Sequence, residues 1–271
     1  MNPDRKTVIV TGAAGGIGKA LARRFTRAGA AVVVADKLQA GVDDLARELN
    51  TVAIACDVTD EAQVQHLVEE TVRQIGPIDI FISNAGVCIG EPDHAASADN
   101  DVWQSCWDIH VMAQVYAARA VLPSMRKRQS GYLVNMASAA GLLSQIGDSA
   151  YSATKHASVG FSESLAISHG DEGIRVSVVC PQYVATSMLG YAEGELPDDL
   201  PDVITPEQVA DAVLKGVQEE TFLILPHQDV ASYIQFKAAD TDRWLGAMRK
   251  LRRRILEKAG SMNLVEMHKL I

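Results

Sequence analysis

Seven short runs of apolar residues, rich in Val and Ile, recur along the 271-residue chain and constrain its fold more than any other feature. They are apolar almost throughout, which is typical of strands that are buried on both faces of a sheet. The candidate strands are residues 6–10, 30–36, 50–57, 78–84, 131–138, 174–181 and 221–226.

Helix-length amphipathic stretches separate these apolar runs. Strands that alternate with helices predict a parallel sheet with helices on both faces and right-handed connections. We therefore expect one α/β domain over residues 1–271, with a Rossmann-like doubly wound sheet of about seven strands. The candidate helices are residues 16–28, 41–50, 60–75, 103–128, 151–170 and 206–220.

Two segments depart from this alternation. Residues 187–204 are acidic, rich in Gly and Pro, and without clear periodicity, so we predict a surface loop or mobile lid. Residues 229–271 are predicted to form a helical C-terminal extension, with apolar residues at helical spacing and a basic run mostly on the other face. The basic run is a solvated face, a subunit contact or a site for an anionic partner.

Charge and cysteine usage narrow the class of protein. The formal net charge of −9 disfavours nucleic acid as a partner, because phosphate binding needs a basic surface. The sequence has no apolar run of about 18 residues and no signal-peptide layout, so we expect no membrane span. The cysteines stand alone without a C-x-x-C pair, which predicts reduced thiols in the cytoplasm and no metal site.

A glycine-rich turn at residues 11–18 follows the first strand and opens the first helix. Gly12, Gly16 and Gly18 allow close approach of the backbone to a ligand, and the helix N-terminus beyond them offers free N–H groups. The turn therefore predicts a pyrophosphate site, the alternative being a glycine loop with no ligand.

Acidic residues end the second and third strands. A carboxylate at Asp36 can accept hydrogen bonds from both hydroxyls of an adenosine ribose and repels a 2′-phosphate, which favours NAD over NADP. Lys37 is adjacent and leaves NADP open. Asp57 is placed to reach the adenine amino group, or else caps the next helix, a role that Asp60 can fill instead.

Tyr151 and Lys155 lie four residues apart at the start of a predicted helix and should share one face of it. An ammonium group beside a phenol lowers the pKa of the phenol from about 10 toward neutrality, where it can exchange a proton with an alcohol. Ser138 ends a strand and could bond the same substrate oxygen. A Tyr/Lys pair on a solvated helix surface is the alternative.

Together these stretches resemble the short-chain dehydrogenase/reductase family, over about residues 6–225. The glycine spacing and the chain length point to the compact branch of that family rather than the extended one. The matching motifs are TGAAGGIG at 11–18, Asp57-Val58, SNAG at 83–86, Ser138, Tyr151-x-x-x-Lys155, and CPQYVAT at 180–186 in place of a proline-glycine segment.

The resemblance implies a role for each matching residue. Tyr151 would be the general acid/base, Lys155 would lower its pKa and hold the nicotinamide ribose, and Ser138 would polarise the carbonyl or orient the alcohol. Val184 and Thr186 would contact the nicotinamide carboxamide. The predicted cofactor-binding residues are Gly12, Ala14, Gly16, Ile17, Gly18, Asp36, Asp57, Val58, Asn84, Ala85, Gly86, Tyr151, Lys155, Pro181, Val184 and Thr186.

The sequence departs from the family pattern at two positions. His110 stands where the family has a catalytic Asn that holds a water in a proton relay. A histidine could keep the relay and would then add a titration near neutrality, or it could be a packed helix residue. Gln182 replaces the usual glycine after Pro181 and could face the substrate.

The substrate pocket should be built from the residues after Ser138, the turn before Tyr151 and the predicted lid. These residues are mainly apolar and include no Arg or Lys, so we predict an uncharged hydrophobic secondary alcohol or ketone. Several of them could instead be core residues. The candidate substrate residues are Leu142, Gln145, Gln182, Tyr183, Met188 and Tyr191.

The leading hypothesis is an NAD-dependent oxidoreductase that oxidises such an alcohol, with NADP less favoured as the cofactor. An NADPH-dependent ketoreductase and a non-catalytic nucleotide-binding scaffold or sensor are the alternatives. Helices 103–128 and 151–170 carry apolar residues on more than one face, and the family assembles through such helices. We therefore expect a homotetramer, with a dimer as the alternative.

Overall fold

The computed structural model describes residues 1–91, 93–197 and 200–270. Asp198 and Asp199 of the predicted lid and Ile271 of the predicted extension lie outside the described residues. The strands are β1 (Thr7–Thr11), β2 (Ala31–Asp36), β3 (Val52–Ala55), β4 (Ile80–Ser83), β5 (Gly131–Met136), β6 (Ile174–Val179), β7 (Tyr183–Val184), β8 (Val203–Ile204) and β9 (Leu223–Ile224).

Seven of the strands in the described part form one parallel sheet, in the order β3-β2-β1-β4-β5-β6-β9. The helices are α1 (Gly16–Arg27), α2 (Gln39–Leu49), α3 (Glu61–Gln74), α4 (Asn100–Trp107), α5 (Ala113–Arg128), α6 (Ser149–His169), α7 (Pro206–Glu219), α8 (Asp229–Ala239), α9 (Thr241–Ala259) and α10 (Leu264–Met267). The predicted doubly wound α/β fold is confirmed.

Strand β2 shows why the apolar runs are continuous. Val32 and Val34 face a layer that contains α1, α2 and α7, whereas Val33 and Ala35 face the layer of α3, α5 and α6. Both faces of the sheet are therefore buried, which favours apolar residues at both sets of positions.

Helix α1 packs against α7 in the first of these layers. Leu21 and Phe25 of α1 are fully buried, and so are Val213 and Val217 of α7. Burying side chains of this size stabilises a fold by roughly 1.5–3 kcal/mol each. This layer is thus stabilised by two helices that lie far apart in the sequence.

The predicted helix over residues 103–128 begins earlier and is interrupted. A π turn, Asp108–Met112, separates α4 from α5, and the Ala113 N–H donates to the Asp108 carbonyl across the wider turn. Turns of this kind are frequent at functional sites. His110 lies inside the π turn and is fully buried.

The segment predicted to be a lid follows β7 and ends in β8. These two strands pair in parallel, so the two ends of the segment lie side by side. It begins with a single 3₁₀ turn, Ser187–Leu189, which is in contact with α10. Helices α8 and α9 pack on each other. Arg249, Arg252 and Arg253 of α9 are exposed, so the basic face points to solvent in the isolated chain.

Among the described helices, none combines the length and the apolar character that a membrane crossing requires.

Candidate active site

A groove with a volume of about 760 Å³ runs along the carboxyl edge of the sheet. It begins at the glycine turn after β1 and reaches the start of α6, so it joins the two regions that the sequence singled out. The predicted site residues that line it are Gly12, Ala14, Gly16, Ile17, Asp36, Asp57, Val58, Asn84, Ala85, Gly86, Ser138, Gln145, Tyr151, Lys155, Pro181, Gln182, Tyr183, Val184, Thr186 and Met188.

The glycine turn needs its glycines for two different reasons. Gly12 has a φ of +65°, a left-handed conformation, and a Cβ there would stand 2.8 Å from the Ala85 Cα. Gly18 lies within α1, where a Cβ would stand 2.0 Å from the Gly12 carbonyl oxygen. Gly18 therefore packs the helix against the turn and does not line the groove, and its predicted contact with the cofactor stays a prediction.

The N-terminus of α1 fits a phosphate group. Its N-cap is Gly15, and no side chain of the described residues caps the first turn. The first N–H groups of a helix lack partners within the helix, and the helix dipole favours an anion at this end. A pyrophosphate would fill this position in the groove.

Asp36 is tied to the glycine turn. Its Oδ2 accepts a hydrogen bond from the Ala14 N–H at 3.1 Å, and its Oδ1 accepts one from the Leu38 N–H at 3.1 Å. An ionised carboxylate has about four acceptor sites, so two remain for ribose hydroxyls. Lys37 is exposed and also lines the groove.

The aspartate that caps helix α3 is Asp60 and not Asp57. Asp60 is the N-cap of α3 and accepts hydrogen bonds from the Ala62 and Gln63 N–H groups. Asp57 accepts from the N–H and the hydroxyl of Thr59 at 2.9 and 2.7 Å and lines the groove. The capping alternative for Asp57 is therefore wrong.

Asn84 fastens the end of β4 to the glycine turn. Its Nδ2 donates to the carbonyl oxygens of Thr11 and Gly12 at 3.0 and 3.3 Å, and its N–H donates to the Thr11 hydroxyl at 3.0 Å. The Thr11 side chain is buried. These hydrogen bonds fix the position of the segment after β4 relative to the glycine turn.

Ser138, Tyr151 and Lys155 line the same end of the groove. The Lys155 Nζ lies 5.4 Å from the centroid of the Tyr151 ring and donates to the Met136 carbonyl oxygen at 3.0 Å. Ser138 follows β5, and its Oγ accepts from the Ala140 N–H at 3.1 Å. The spacing of the motif thus does bring the three side chains together.

The pKa values of this group correct a sequence expectation. Burial raises the pKa of Tyr151, the charge of Asp148 adds to the rise, and the Ser138 hydroxyl opposes it. Burial also lowers the pKa of Lys155 to about 8. Among the chain's own residues, burial thus moves the pKa of Tyr151 in the direction opposite to the predicted one, and the effect of Lys155 on this phenol stays a prediction.

His110 does not line the groove, although it lies directly beneath it. Its Nε2 accepts from the Val87 N–H at 3.1 Å, and its Nδ1 lies 2.9 Å from the Thr154 hydroxyl. Burial, with the positive charge of Lys155, lowers the pKa of His110 to about 2. The low pKa and these contacts favour the alternative of a packed helix residue over a titration near neutrality, with a neutral ring that accepts a hydrogen bond from the Val87 backbone.

Four of the predicted substrate residues lie at the far end of the groove, whereas Leu142 and Tyr191 do not line it. The carbonyl of Leu142 accepts from Lys237, and its side chain packs beside the core around Cys180. Tyr191 is buried against His268, its hydroxyl 2.7 Å from the Nε2 of that ring. The structure places neither side chain in the groove, because Leu142 packs into that core and Tyr191 faces the extension.

Sequence reasoning missed two residues of this site. Asp148 is buried, and its carboxylate accepts from the Tyr151 N–H at 3.0 Å and the Gly90 N–H at 2.9 Å, which joins the start of α6 to the loop after β4. Its place just before the helix was the available signal. Leu264 of α10 also lines the groove, and no local pattern marks it.

The chain matches a family model described as short chain dehydrogenase over residues 6–195. It is 34% identical over 219 residues to the meso-2,3-butanediol dehydrogenase of Serratia marcescens, which covers 78% of this chain and 86% of that one. It is 32% identical over 229 residues to epidermal retinol dehydrogenase 2 of Mus musculus, which covers 81% of this chain and 73% of that one.

Among solved structures, the chain is similar to a short chain dehydrogenase/reductase from Burkholderia phymatum in complex with NAD. The TM-score is 0.80 at 25% sequence identity, with 89% of this chain and 96% of that chain covered.

Proposed function

The chain belongs to the short-chain dehydrogenase family and is an oxidoreductase acting on CH–OH groups, and from this premise we propose that it uses NAD to interconvert a hydrophobic secondary alcohol and its ketone. One observation carries the proposal. A single groove joins Asp36 at one end to Ser138, Tyr151 and Lys155 at the other.

The residues along this groove fit a nicotinamide dinucleotide. The uncapped start of α1 would hold the pyrophosphate, and Asp36 would accept the hydroxyls of the adenosine ribose. Lys155 would hold the nicotinamide ribose, with Val184 and Thr186 beside the ring. When bound, oxidised NAD accepts the hydride from the substrate carbon.

The chain's own part in the reaction is position and proton handling. The Ser138 Oγ would hold the substrate oxygen, and the phenolate of Tyr151 would take its proton. Because burial raises the pKa of Tyr151, its ionised form would need a positive charge nearby, which the Lys155 ammonium would supply. His110 would hold Val87 in place and would not exchange protons.

The substrate end favours an uncharged, apolar molecule. Tyr183, Met188, Leu189 and Leu264 line it, and Lys155 is the one Lys or Arg that the described part of the chain places there. A carboxylate or phosphate on the substrate would find no second cation. The names of the two relatives, a butanediol and a retinol dehydrogenase, agree with alcohol substrates. We propose oxidation as the physiological direction, since NAD pools are commonly oxidised.

The test is turnover of a panel of cyclic, aryl and aliphatic secondary alcohols with NAD or NADP, measured by absorbance of the reduced nicotinamide. We expect turnover with NAD on at least one hydrophobic alcohol. Binding of NAD by calorimetry without turnover of any alcohol or ketone in the panel would contradict the substrate class. Absence of NAD binding would contradict the cofactor.

A second candidate is an NADPH-dependent ketoreductase, favoured by the exposed Lys37 in the lining of the adenosine end. A lysine there could pair with a 2′-phosphate. Tighter binding of NADPH than NADH, abolished in Lys37→Ala, would favour this candidate over the first.

Assembly and location complete the proposal. We propose a homotetramer through the faces of α4 to α6, where Trp107 and Ile167 are 43% and 84% exposed. Light scattering on the purified protein tests this. We propose a cytoplasmic enzyme, since Cys56, Cys106 and Cys180 are buried free thiols that suit a reducing compartment.

A further inference from the structure

The two loops that flank the substrate end of the groove are both held by the C-terminal extension. Residues 139–147 lie between Ser138 and Tyr151, and the Lys237 Nζ of α8 donates to the Leu142 and Leu143 carbonyl oxygens at 2.8 and 2.9 Å. Met262 lies against Gly147 of the same loop, where a Cβ would stand 2.6 Å from the Met262 carbonyl oxygen.

The second loop, residues 187–191, is fastened by α10 and the turn that follows it. Met267 is fully buried, and His268 is 2% exposed. The His268 ring stands edge-on to the Tyr191 ring, with centroids 5.4 Å apart, and the Tyr191 hydroxyl lies 2.7 Å from its Nε2. Val265 packs on Gly190, where a Cβ would stand 3.0 Å from the Val265 Cγ1.

The partners of His268 fix the direction of its hydrogen bonds. Its Nδ1 lies 2.9 Å from the Leu264 carbonyl oxygen, which can only accept, so Nδ1 carries the proton of the neutral ring. The Nε2 is then an acceptor, and the Tyr191 hydroxyl donates to it. One ring therefore bonds α10 on one side and the lid segment on the other.

The lid segment has a much weaker attachment on the cofactor side. Two residues after Tyr191, the Glu193 carboxylate accepts from the Lys19 Nζ at 2.9 Å and from the Arg23 Nη1 at 3.4 Å. The Glu193 side chain is 68% exposed, and exposed ion pairs contribute little. The segment is thus held firmly to the extension and loosely to α1.

From these contacts we infer that residues 261–270 form a fixed outer wall of the substrate pocket, and that His268 is the positioning residue that holds the lid segment to this wall through Tyr191. Leu264 is the part of the wall that faces the groove. The extension thereby sets the largest substrate that fits, while the cofactor enters on the Glu193 side. The inference deepens the proposed function and, for its substrate part, rests on it.

The first experiment needs no substrate. Hydrogen exchange of peptides that cover residues 187–191 is measured in wild type, Tyr191→Phe, His268→Ala and His268→Gln, with Tyr233→Phe as the matched control on an exposed tyrosine. Loss of a buried hydrogen bond should speed exchange by about tenfold in Tyr191→Phe and in His268→Ala. His268→Gln should restore most of the protection, because its side-chain oxygen can accept from Tyr191.

The second experiment measures selectivity. Straight-chain secondary alcohols of increasing length, from butanol to decanol, are oxidised with NAD by wild type, Leu264→Ala and His268→Ala, with Leu245→Ala as the exposed control. We expect the KM for the longer alcohols to fall by about tenfold relative to the shorter ones in Leu264→Ala, since the side chain that faces the pocket is lost, and in His268→Ala, since the lid segment is no longer held to the wall. The affinity for NAD by calorimetry should change less than about twofold.

The outcomes separate the inference from the proposed function. Unchanged exchange at residues 187–191 in both Tyr191→Phe and His268→Ala overturns the inference, whatever the enzyme turns over. Faster exchange with no alcohol turned over by the wild type, despite NAD binding, supports the role of His268 in holding the lid segment and contradicts the proposed substrate class. If Leu264→Ala has the same chain-length preference as the wild type, residues 261–270 do not form the outer wall of the substrate pocket.

Discussion

The two ends of the groove are built from different kinds of structure. At the cofactor end the lining residues stand at or just after the ends of adjacent parallel strands, such as Gly12 after β1 and Asp36 at the end of β2. At the substrate end they come from separate loops and from α10, and side chains such as Lys237 and His268 hold those loops. Sheet register fixes the first end, whereas side-chain bonds across the chain fix the second.

The largest effect should come from the residue that transfers the proton, and it should change catalysis without changing cofactor binding. Tyr151→Phe should lower kcat by about a thousandfold, because it removes the proton-transferring group, with NAD affinity unchanged. Steady-state kinetics and calorimetry measure the two quantities. Tyr233→Phe, on an exposed tyrosine, is the matched control and should keep full activity. A Tyr151→Phe enzyme with wild-type kcat would remove Tyr151 from the mechanism.

The next effect should lie at the cofactor end alone. Asp36→Ala removes the proposed ribose acceptor and the repulsion of a 2′-phosphate, so the ratio of kcat/KM for NADP to that for NAD should rise by about a hundredfold. Asp60→Ala is the control, since this aspartate caps α3. The chain-length preference for alcohols should stay the same in both variants. A shift in that preference would mean that the two ends are not independent.

The buried His110, below the groove, gives a prediction for how the stability of the protein depends on pH. The pKa of His110 is lowered from 6.5 to about 2 by burial, with Lys155 adding to the effect. Between these values the unfolded chain binds a proton that the folded chain excludes, so the free energy of unfolding falls as the pH drops below 6.5. From pH 7 to pH 5 the wild type should lose about 2 kcal/mol more than His110→Asn.

Urea unfolding of both proteins at the two pH values measures this difference. His66→Asn, at an exposed position, is the matched control and should follow the wild type. Asp148 and Tyr151 face the same region, so the comparison is between variants and not between pH values alone. Equal losses in wild type and His110→Asn would mean that His110 is solvated in the folded protein.

The smallest effect should come from the Glu193 ion pairs, which join the lid segment to α1 and should slow the release of NAD. Glu193→Gln weakens the exposed bridge from the lid segment to Lys19 and Arg23, so NAD should dissociate about two- to fivefold faster. Stopped-flow displacement of NADH fluorescence measures the rate. Glu195→Gln, which alters a carboxylate bonded within its own loop, is the control. An effect of Glu193→Gln on alcohol selectivity would contradict the separation of the two ends.

The same difference between the ends decides how much the sequence can predict. The seven strands and most helices follow from apolar patterning, since a buried parallel strand admits few polar residues. Gly12, Asp36, Tyr151 and Lys155 follow from spacing, because strand ends and one helix face bring them to one edge. Helix starts were less accurate: α6 begins at Ser149 because Asp148 caps it.

The substrate end was predicted less well for a physical reason. Leu142 and Tyr191 are apolar or aromatic residues in the right loops, but Leu142 packs into the core around Cys180 and Tyr191 packs against His268 of the extension. The packed position of His110 depends on the π turn and on the Val87 N–H, neither of which has a sequence pattern. The pKa of Tyr151 depends on burial, which local spacing does not reveal.

The pairing of α1 with α7 has a consequence for how the protein is made. About 180 residues separate the end of α1 from the start of α7. At roughly 5–20 residues per second, a ribosome needs on the order of 10 to 35 s to deliver the partner. During that interval the apolar stripe of Leu21 and Phe25 has emerged without α7 to cover it. Until α7 emerges, this stripe is an apolar surface prone to aggregation, and slower translation lengthens that interval.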